Sequence, residues 1–566
     1  MATGITPDPG QPAIRNVVLV GHAGSGKSTL LHALRGRAAA GGPPGSPGPP
    51  GPPFPSPACW PVTYDGVTIN LFDTPGHPDF VGALHAGLRA ADAALFVVSG
   101  IDGVDARTGQ LWEQCAAAAL PRAVVVTQLD RPGADFDEAV AVCQRVFGEG
   151  VHPLYLPLHA DDESVAGVLS LLVQRVFDWS SGDRVERRPE PEHLPLIASL
   201  RAELIEAVLA ESEDEQLLDA YLQDAAMDPS VLVAELESAV TRGHLHPVLA
   251  AAPLTGLGTE EVLQLLARAF PAPLERRCPA VTRPDGSPAP PLTGDPDGPL
   301  AAEVVWTTTD PDAGRICLVR VFSGTLRRDS AVHVSGHGPT PAADRAAQVG
   351  PLFAAGSPAR PVPLCRAGDV CTVLGLTTAR TADTLSDPDE PLLLEGWQLP
   401  DPQLPVALEP RDPREQEVLA SALERVAAED PTARVERAVE TGQLLLWAVG
   451  AQHADALIGR LGVEVARPAV RVALRADPDD PATTLEPVSA VEVRVAPAAV
   501  GAVLRDLRRR RAELTTTDED DDDQVLVRAV VPDLELLDYA AALRSVSHGT
   551  ATARRRYLRH QPAPLP

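Results

Sequence analysis

The chain of 566 residues is 44% hydrophobic, enough apolar material for several buried cores spread over two to five domains. Its 77 acidic residues outnumber 48 basic ones. The resulting formal charge of −29 excludes nucleic-acid binding across a general basic surface, and sequence-specific DNA binding with it, while leaving room for local basic patches against a ribonucleoprotein.

The first predicted strand, VVLV at 17–20, runs into GHAGSGKSTL at 21–30, which holds the single lysine of the chain, Lys27; the other 47 basic residues are arginine. Gly21-x4-Gly26-Lys27-Ser28 fits the phosphate-binding loop pattern. Backbone N–H groups from Gly21 through His22, Ala23, Gly24, Ser25 and Gly26 to Thr29 are predicted to cradle phosphates at the start of a helix, where the dipole favours anions. Lys27 would bridge the terminal phosphates as a compact ammonium, a task for which the wider arginine fork is unsuited. Ser28 would ligate Mg²⁺.

GPPGSPGPPGPP at 42–53 is four Gly-X-Y triplets, too few for a stable triple helix and read as a polyproline-type or open loop. A strand, INLF at 69–72, then leads into DTPGH. Asp73 is placed to hold Mg²⁺ through a water. Thr74, Pro75 and Gly76 complete the loop, the Gly76 N–H facing a γ-phosphate, and His77 lies beside the attacking water. Taken alone, such a histidine reads more often as a surface residue. ALFVV at 94–98 and AVVV at 123–126 continue an alternation of strands and amphipathic helices that predicts a mostly parallel sheet, with ligands at the C-terminal strand ends.

From about residue 298 the pattern turns β-rich, suggesting a small antiparallel barrel. Residues 404–475 and 485–562 each alternate strands with helices in the manner of a ferredoxin-like sandwich. The acidic tract DEDDDD at 518–523 reads as a solvated loop, since the spacing and glycine of a calcium loop are absent. Seven scattered cysteines with no CxxC pair read as reduced thiols of a cytoplasmic protein, without a zinc site or disulfide framework. The N-terminus lacks a secretory pattern, and no apolar run approaches the ~20 residues of a membrane span.

Together these motifs resemble the translational GTPases, specifically the elongation factor G family, over nearly the whole chain. GHAGSGKST is similar to the family's first nucleotide motif and DTPGHPDF to its hallmark DTPGHVDF. VTQLDRPGADF, with Thr127, Gln128, Leu129 and Asp130, occupies the place of its NKxD guanine motif. HPVLAAAPLTGLG resembles its fifth motif, with Ala252 and Pro253 standing where the family has Ser-Ala. The resemblance implies a multidomain α/β protein. A P-loop GTPase domain, with helices on both faces of a parallel sheet, would cover 1–275, carrying a Gly/Pro-rich insert at 41–58 and a helical insert at about 159–245. A β-barrel would cover 290–395, and ferredoxin-like α+β domains 402–475 and 485–562.

The departures limit what carries over. The family's switch I threonine, a Mg²⁺ ligand, has no counterpart motif around Thr63 or Thr68. In the guanine motif Thr127 and Gln128 replace Asn and Lys, leaving Asp130 to accept from guanine. The family's fourth domain, which reaches the decoding centre, is replaced by 476–484. The resemblance therefore implies a GTP/GDP- and Mg²⁺-binding monomer, free of membranes, that meets both ribosomal subunits through RNA and protein and hydrolyses GTP without being the main translocase. Lys27 and His77 would be its catalytic residues. A nucleotide-binding regulator that does not hydrolyse is the second reading, and a decaying paralogue a third. The Arg508–Arg511 and Arg554–Arg556 runs are either docking contacts to ribosomal RNA or solvated cationic ends.

Overall fold

The computed structural model describes residues 13–38, 57–160, 164–181, 183–191, 193–212, 214–223, 227–310, 312–337, 345–356, 360–480, 483–519, 524–547 and 549–563. The Gly-X-Y triplets at 42–53 and the acidic residues 520–523 lie outside them. The chain divides into two compact units, one of Met1–Gly76, Ala86–Ala379 and Asp383–Glu395, the other of His77–His85, Arg380–Ala382 and Gly396–Pro566.

The first unit begins with β1 (Ala13–Val20), α1 (Lys27–Ala38), β2 (Ala58–Tyr64), β3 (Val67–Asp73), α2 (Val81–Ala90), whose first turn belongs to the second unit, β4 (Ala93–Ser99), α3 (Ala106–Ala117), β5 (Arg122–Thr127), α4 (Phe136–Phe147) and β6 (Val151–Pro153). A last strand, His246–Ala250, enters between β5 and β6, giving a seven-stranded sheet in the order β2-β3-β1-β4-β5-(246–250)-β6. Every pairing is parallel except β2 with β3. β4 and β5 are buried at every position, as their unbroken apolar runs require of strands covered on both faces. Leu30, Leu31 and Leu34, at helical spacing on α1, pack into the same core as Val17, Leu19 and Leu95.

The stretch expected to be a helical insert opens instead as an antiparallel meander of β7 (Tyr155–His159), β8 (Val165–Ser170), β9 (Val176–Asp178) and β10 (Val185–Arg187). Helices follow only from His193, over His193–Ala210, Glu215–Leu222 and Pro229–Arg242. The cause is legible in hindsight: β-branched Val165, Val168 and Val176 flank a tight turn, and Gly167 lets β8 approach β9 so closely that a Cβ there would lie 2.6 Å from the Phe177 carbonyl oxygen. Leu169, Leu171 and Val176 join the main core, so the insert is built onto the sheet rather than appended to it.

Farther along, an eight-stranded antiparallel sheet and the two-stranded ribbon Thr325–Arg327/Leu364–Arg366 share one core containing Val304, Val319, Leu326, Val334, Cys365 and Val373, the curled arrangement expected of a barrel. A buried network ties this region to β1. Asn16 Nδ2 donates to Asp92 Oδ2 (2.7 Å), Arg320 Nη2 donates to both Asp92 oxygens (3.0 Å each), and Arg320 Nη1 donates to the Gly368 carbonyl (2.8 Å). All seven cysteines are free thiols.

The second unit contains two βαββαβ repeats. Strands Leu404–Pro410, Arg434–Arg437, Leu444–Ala448 and Val465–Ala466 alternate with helices Gln416–Glu429 and Ala451–Gly459, and their antiparallel sheet runs fourth-first-third-second. Strands Thr484–Val495, Glu513–Glu519, Val525–Pro532 and Thr552–Pro562, with helices Val500–Arg509 and Tyr539–Val546, repeat that order. Both match the ferredoxin-like expectation. Between them Arg475 and Ala476 pair with Leu485 and Thr484, a short hairpin closed by Asp477 N–H to the Thr483 carbonyl (2.9 Å).

Candidate nucleotide site

Strand register alone gathers the predicted motifs. Leu19 pairs with Asp73, Val20 with Phe96, Ser99 with Thr127 and Val126 with Ala250, so five strands end side by side. The loops that leave them carry Gly21–Gly26, Thr74–Gly76, Thr127–Asp130 and Ala252, at the sheet edge where ligands of such folds bind.

The phosphate loop turns through left-handed backbone at Gly24 (φ 89°) and Gly26 (φ 91°), and α1 opens at Lys27 with no acidic residue in its first turn. Its leading N–H groups therefore have no in-helix acceptor, and the first turn carries no carboxylate of its own. Lys27 is 7% exposed; its Nζ donates to the carbonyls of Gly21 (2.7 Å) and His22 (2.9 Å). Burial lowers its pKa to about 8, against the opposing pull of Asp73 and Asp105. Ser25 is fully buried with its hydroxyl lacking any hydrogen-bond partner, and His22 Nε2 is buried and unpartnered as well. Ala23 and Gly24, and Ser28 and Thr29 at the helix start, are exposed.

The second loop closes on the first. Ser28 Oγ donates to Asp73 Oδ2 (2.8 Å), and Thr74 Oγ1 donates to the Leu19 carbonyl (2.8 Å). Burial raises the Asp73 pKa, although the Ser28 hydrogen bond and the Lys27 and His32 charges pull it down. Gly76 lies so near the phosphate loop that a Cβ would fall 2.6 Å from Ala23 N and 2.7 Å from Lys27 Nζ; only glycine fits. His77 follows, in the second unit, with half-buried Pro75 preceding this glycine. His77 caps the short helix Pro78–Phe80, its Nδ1 accepting from Asp79 N–H at 3.2 Å.

The altered guanine motif is braced rather than loose. Thr127 Oγ1 donates to the Ser25 carbonyl (2.6 Å), and Gln128 Nε2 donates to the Gly24 carbonyl (2.6 Å). Gln128, in left-handed backbone at φ 62°, accepts in turn from Ser99 Oγ (3.0 Å), beside Asp102. Sequence reasoning assigned nothing to Ser99 or Asp102, and only their position at the end of β4 marks them. Leu129 is buried and Asp130 exposed. Ala252 is buried, its N–H donating to the Leu257 carbonyl (3.0 Å).

The hairpin threonines lie away from the site, as the lack of a switch I motif around them implies. Thr63 and Thr68 face each other across the β2–β3 hairpin, next to its Asp65-Gly66 turn, whereas Asp73 ends the same strand about 17 Å away at 3.4 Å per residue. Neither threonine shares a metal with Asp73. The arginine runs split. Arg510 is consumed by Asp506 and Asp538, and Arg511 by Glu486 (2.8 Å twice) and Glu535 (3.0 Å). Arg555 packs 4.3 Å over the Trp447 ring, and Arg508, Arg509, Arg554 and Arg556 are exposed.

Comparison with known proteins identifies the family. The elongation factor Tu GTP-binding domain family matches residues 57–272, beginning after the phosphate loop, which therefore stands on its own geometry. Elongation factor G domain III matches 399–467, and the elongation factor G C-terminus matches 483–566. An elongation factor G-like protein of Mycobacterium tuberculosis, the same in strains CDC 1551 / Oshkosh and ATCC 25618 / H37Rv, is 36% identical over 690 aligned positions, spanning 98% of this chain and 96% of the relative. A crystal structure from Thermus thermophilus superposes with a TM-score of 0.78 at 25% identity, covering 98% of both chains. The fold and its loops define a translational GTPase, and the chain belongs to the elongation factor G-like family. The alignment has 690 positions and this chain 566 residues, so at least 124 positions of the relative have no counterpart here. Among the described residues no helix is long and apolar enough to cross a membrane.

Proposed function

We propose that the protein is a GTP- and GDP-binding, ribosome-associated factor that hydrolyses GTP and is not the main translocase. The observation that carries this reading is the convergence of Lys27, Ser28, Asp73 and Gly76 on one loop-lined edge. The unpartnered Ser25 hydroxyl and the acid-free start of α1 fit a polyphosphate. Ser28 and Asp73, two oxygen donors at 2.8 Å, fit Mg²⁺ completed by phosphate and water, and the ion would supply charge neutralisation on the phosphates. Lys27 adds a point charge to those phosphates, Asp130 accepts from the guanine N1 and N2 donors, and His77 orients the attacking water. Phosphoryl transfer needs little beyond such positioning and electrostatics.

The absence of a translocase role is our reading of the short hairpin through 475–485, which we take as the place of an absent fourth domain. The position of Thr63 and Thr68 favours the second reading, binding without turnover, because no threonine lies between Thr29 and Thr63 to couple a γ-phosphate to closure. Equilibrium binding of GTP, GDP and ATP with Mg²⁺, followed by phosphate release with and without ribosomes, separates the two. Guanine-selective binding lost in Lys27→Ala, with ribosome-stimulated release, supports hydrolysis. Selective binding without release supports the regulator, and equal affinity for ATP ends the GTPase reading.

A further inference from the structure

Asp79, two residues beyond His77, is 1% exposed, yet its carboxylate is fully engaged within the second unit. Asp79 Oδ2 accepts from the backbone N–H groups of Gln452 (2.9 Å) and His453 (3.4 Å), which open the helix Ala451–Gly459. Asp79 Oδ1 is paired with Arg544, on the helix Tyr539–Val546, whose other nitrogen donates to the Val449 carbonyl (3.1 Å). A charged acceptor on a helix N-terminus with an arginine alongside is a strong, geometrically specific arrangement.

The surroundings are shaped for it. A Cβ on Gly450 would lie 2.3 Å from Asp79 Oδ1, so only glycine admits the carboxylate. The Phe80 ring stands edge-on to both His77 (centroids 6.0 Å) and His453 (6.1 Å). His453 Nδ1 accepts from Val449 N–H (3.1 Å), which leaves its Nε2–H to donate to Asp430 Oδ2 (3.1 Å). Asp430 also accepts from Thr432 N–H and Oγ1, and a Cβ on Gly82 would meet Asp430 and Thr432 at 3.0 Å. The turn that carries His77 is thereby seated by residues of both ferredoxin-like repeats.

From this geometry we infer that Arg544, acting through Asp79, is a positioning residue for His77, so that the last repeat controls where the imidazole stands. Its effect passes through the carboxylate to the Pro78–Phe80 turn and the histidine that caps it. Release of this ion pair frees the turn. The consequence for turnover rests on the proposed hydrolysis, but the seating of the turn does not.

The test uses the full chain as wild type, Arg544→Met and Arg544→Lys. Backbone hydrogen exchange is followed across 77–85, alongside GTP affinity and single-turnover phosphate release with and without ribosomes. Arg544→Met is expected to raise exchange in 77–85 by ~10-fold or more and to slow release roughly 10- to 100-fold, the scale of a ~1 Å misplacement. GTP affinity should stay within about 2-fold, and Arg544→Lys should recover much of both losses by restoring the charge. Unchanged exchange in 77–85, or raised exchange with undiminished release, overturns the inference. A wild type that releases no phosphate removes hydrolysis alone, and the exchange comparison then decides whether Arg544 seats the turn. Thermal melting of Arg544→Met shows whether the repeat still folds. If it does not, Arg544→Lys against Gly450→Ala carries the same comparison, the latter expected to raise exchange because its Cβ displaces Asp79.

Discussion

The hydroxyl of Thr127 donates to the carbonyl oxygen of Ser25 at 2.6 Å, with both residues fully buried, so the end of β5 holds the phosphate loop in place. Removing that donor leaves a buried carbonyl unpaired, at about 1–3 kcal/mol. Thr127→Val is therefore expected to weaken GTP and ATP alike, by roughly 10-fold, because the damage falls on the phosphate end. Gln128→Ala, which frees the Gly24 carbonyl, should act in the same direction but more weakly, being partly exposed. Asp130→Ala should instead lower GTP affinity and leave ATP affinity unchanged. Fluorescent-nucleotide titrations of the three variants check this division.

Lys27 gives a pH signature. With its pKa lowered to about 8 from 10.5, the fold holds this proton less tightly than the unfolded chain does. The ligand-free fold consequently loses stability as pH falls from 10.5 toward 8, by about 3 kcal/mol once protonation is complete. A polyphosphate pairing with the ammonium reverses the shift. Nucleotide binding at pH 8.5–9 should take up close to one proton, and at pH 7 far less through this group. Calorimetry in buffers of differing ionisation heat measures the uptake; equal values at the two pH settings would refute the pairing. Lys27→Arg should bind no better than Lys27→Ala, since Gly76 leaves no room beside Nζ.

His246 sets an acid limit on the first unit. Its Nε2 faces Arg122 Nη2 (3.2 Å), a permanent donor, so the ring is neutral with its proton on Nδ1 toward the Arg122 carbonyl (3.2 Å). Burial, then the Arg122 charge, lowers its pKa to about 4, and His244 and His152 add to the depression. A histidine whose folded pKa is depressed contributes stability present above about 6.5 and lost as pH falls toward 4, up to ~3 kcal/mol. Melting temperatures of the wild type should drop across that window more steeply than those of His246→Gln.

Arg320 and Asp92 form the buried pair between β1's network and the strand-rich region. Arg320→Met strands a carboxylate that is 5% exposed and is expected to cost ~3–5 kcal/mol. Adding Asp92→Asn should return part of that loss. Urea denaturation followed by domain-specific tryptophan signals tests the pair; equal destabilisation by single and double variants would contradict it.

The gathering of the predicted nucleotide motifs at one sheet edge was legible because their determinants are local. Each motif is a short run of glycine, charge and hydroxyl directly after an apolar strand, and parallel register brings the ends together without further information. The meander at 155–187 was not, since Val-rich segments between predicted helices carry no period that separates strand from helix at such length. The seating of Asp79 was hidden for a different reason: its arginine stands 465 residues away, and a lone Asp in HPDF advertises no partner. Arg510 and Arg511 read as a cationic run until their carboxylates, spread over three elements, came into view.

The hairpin at 475–485 carries one more consequence. Because Arg475 and Ala476 already pair with Leu485 and Thr484, the chain leaves and re-enters the last repeat at adjacent backbone positions, about 5 Å apart. A crossing so narrow works as a socket. Any cassette whose own termini lie side by side can be spliced between Asp477 and Thr483, or cut out again, with neither flanking sheet having to re-register. This joint is therefore a natural place to graft a reporter, or a transplanted domain, onto the chain.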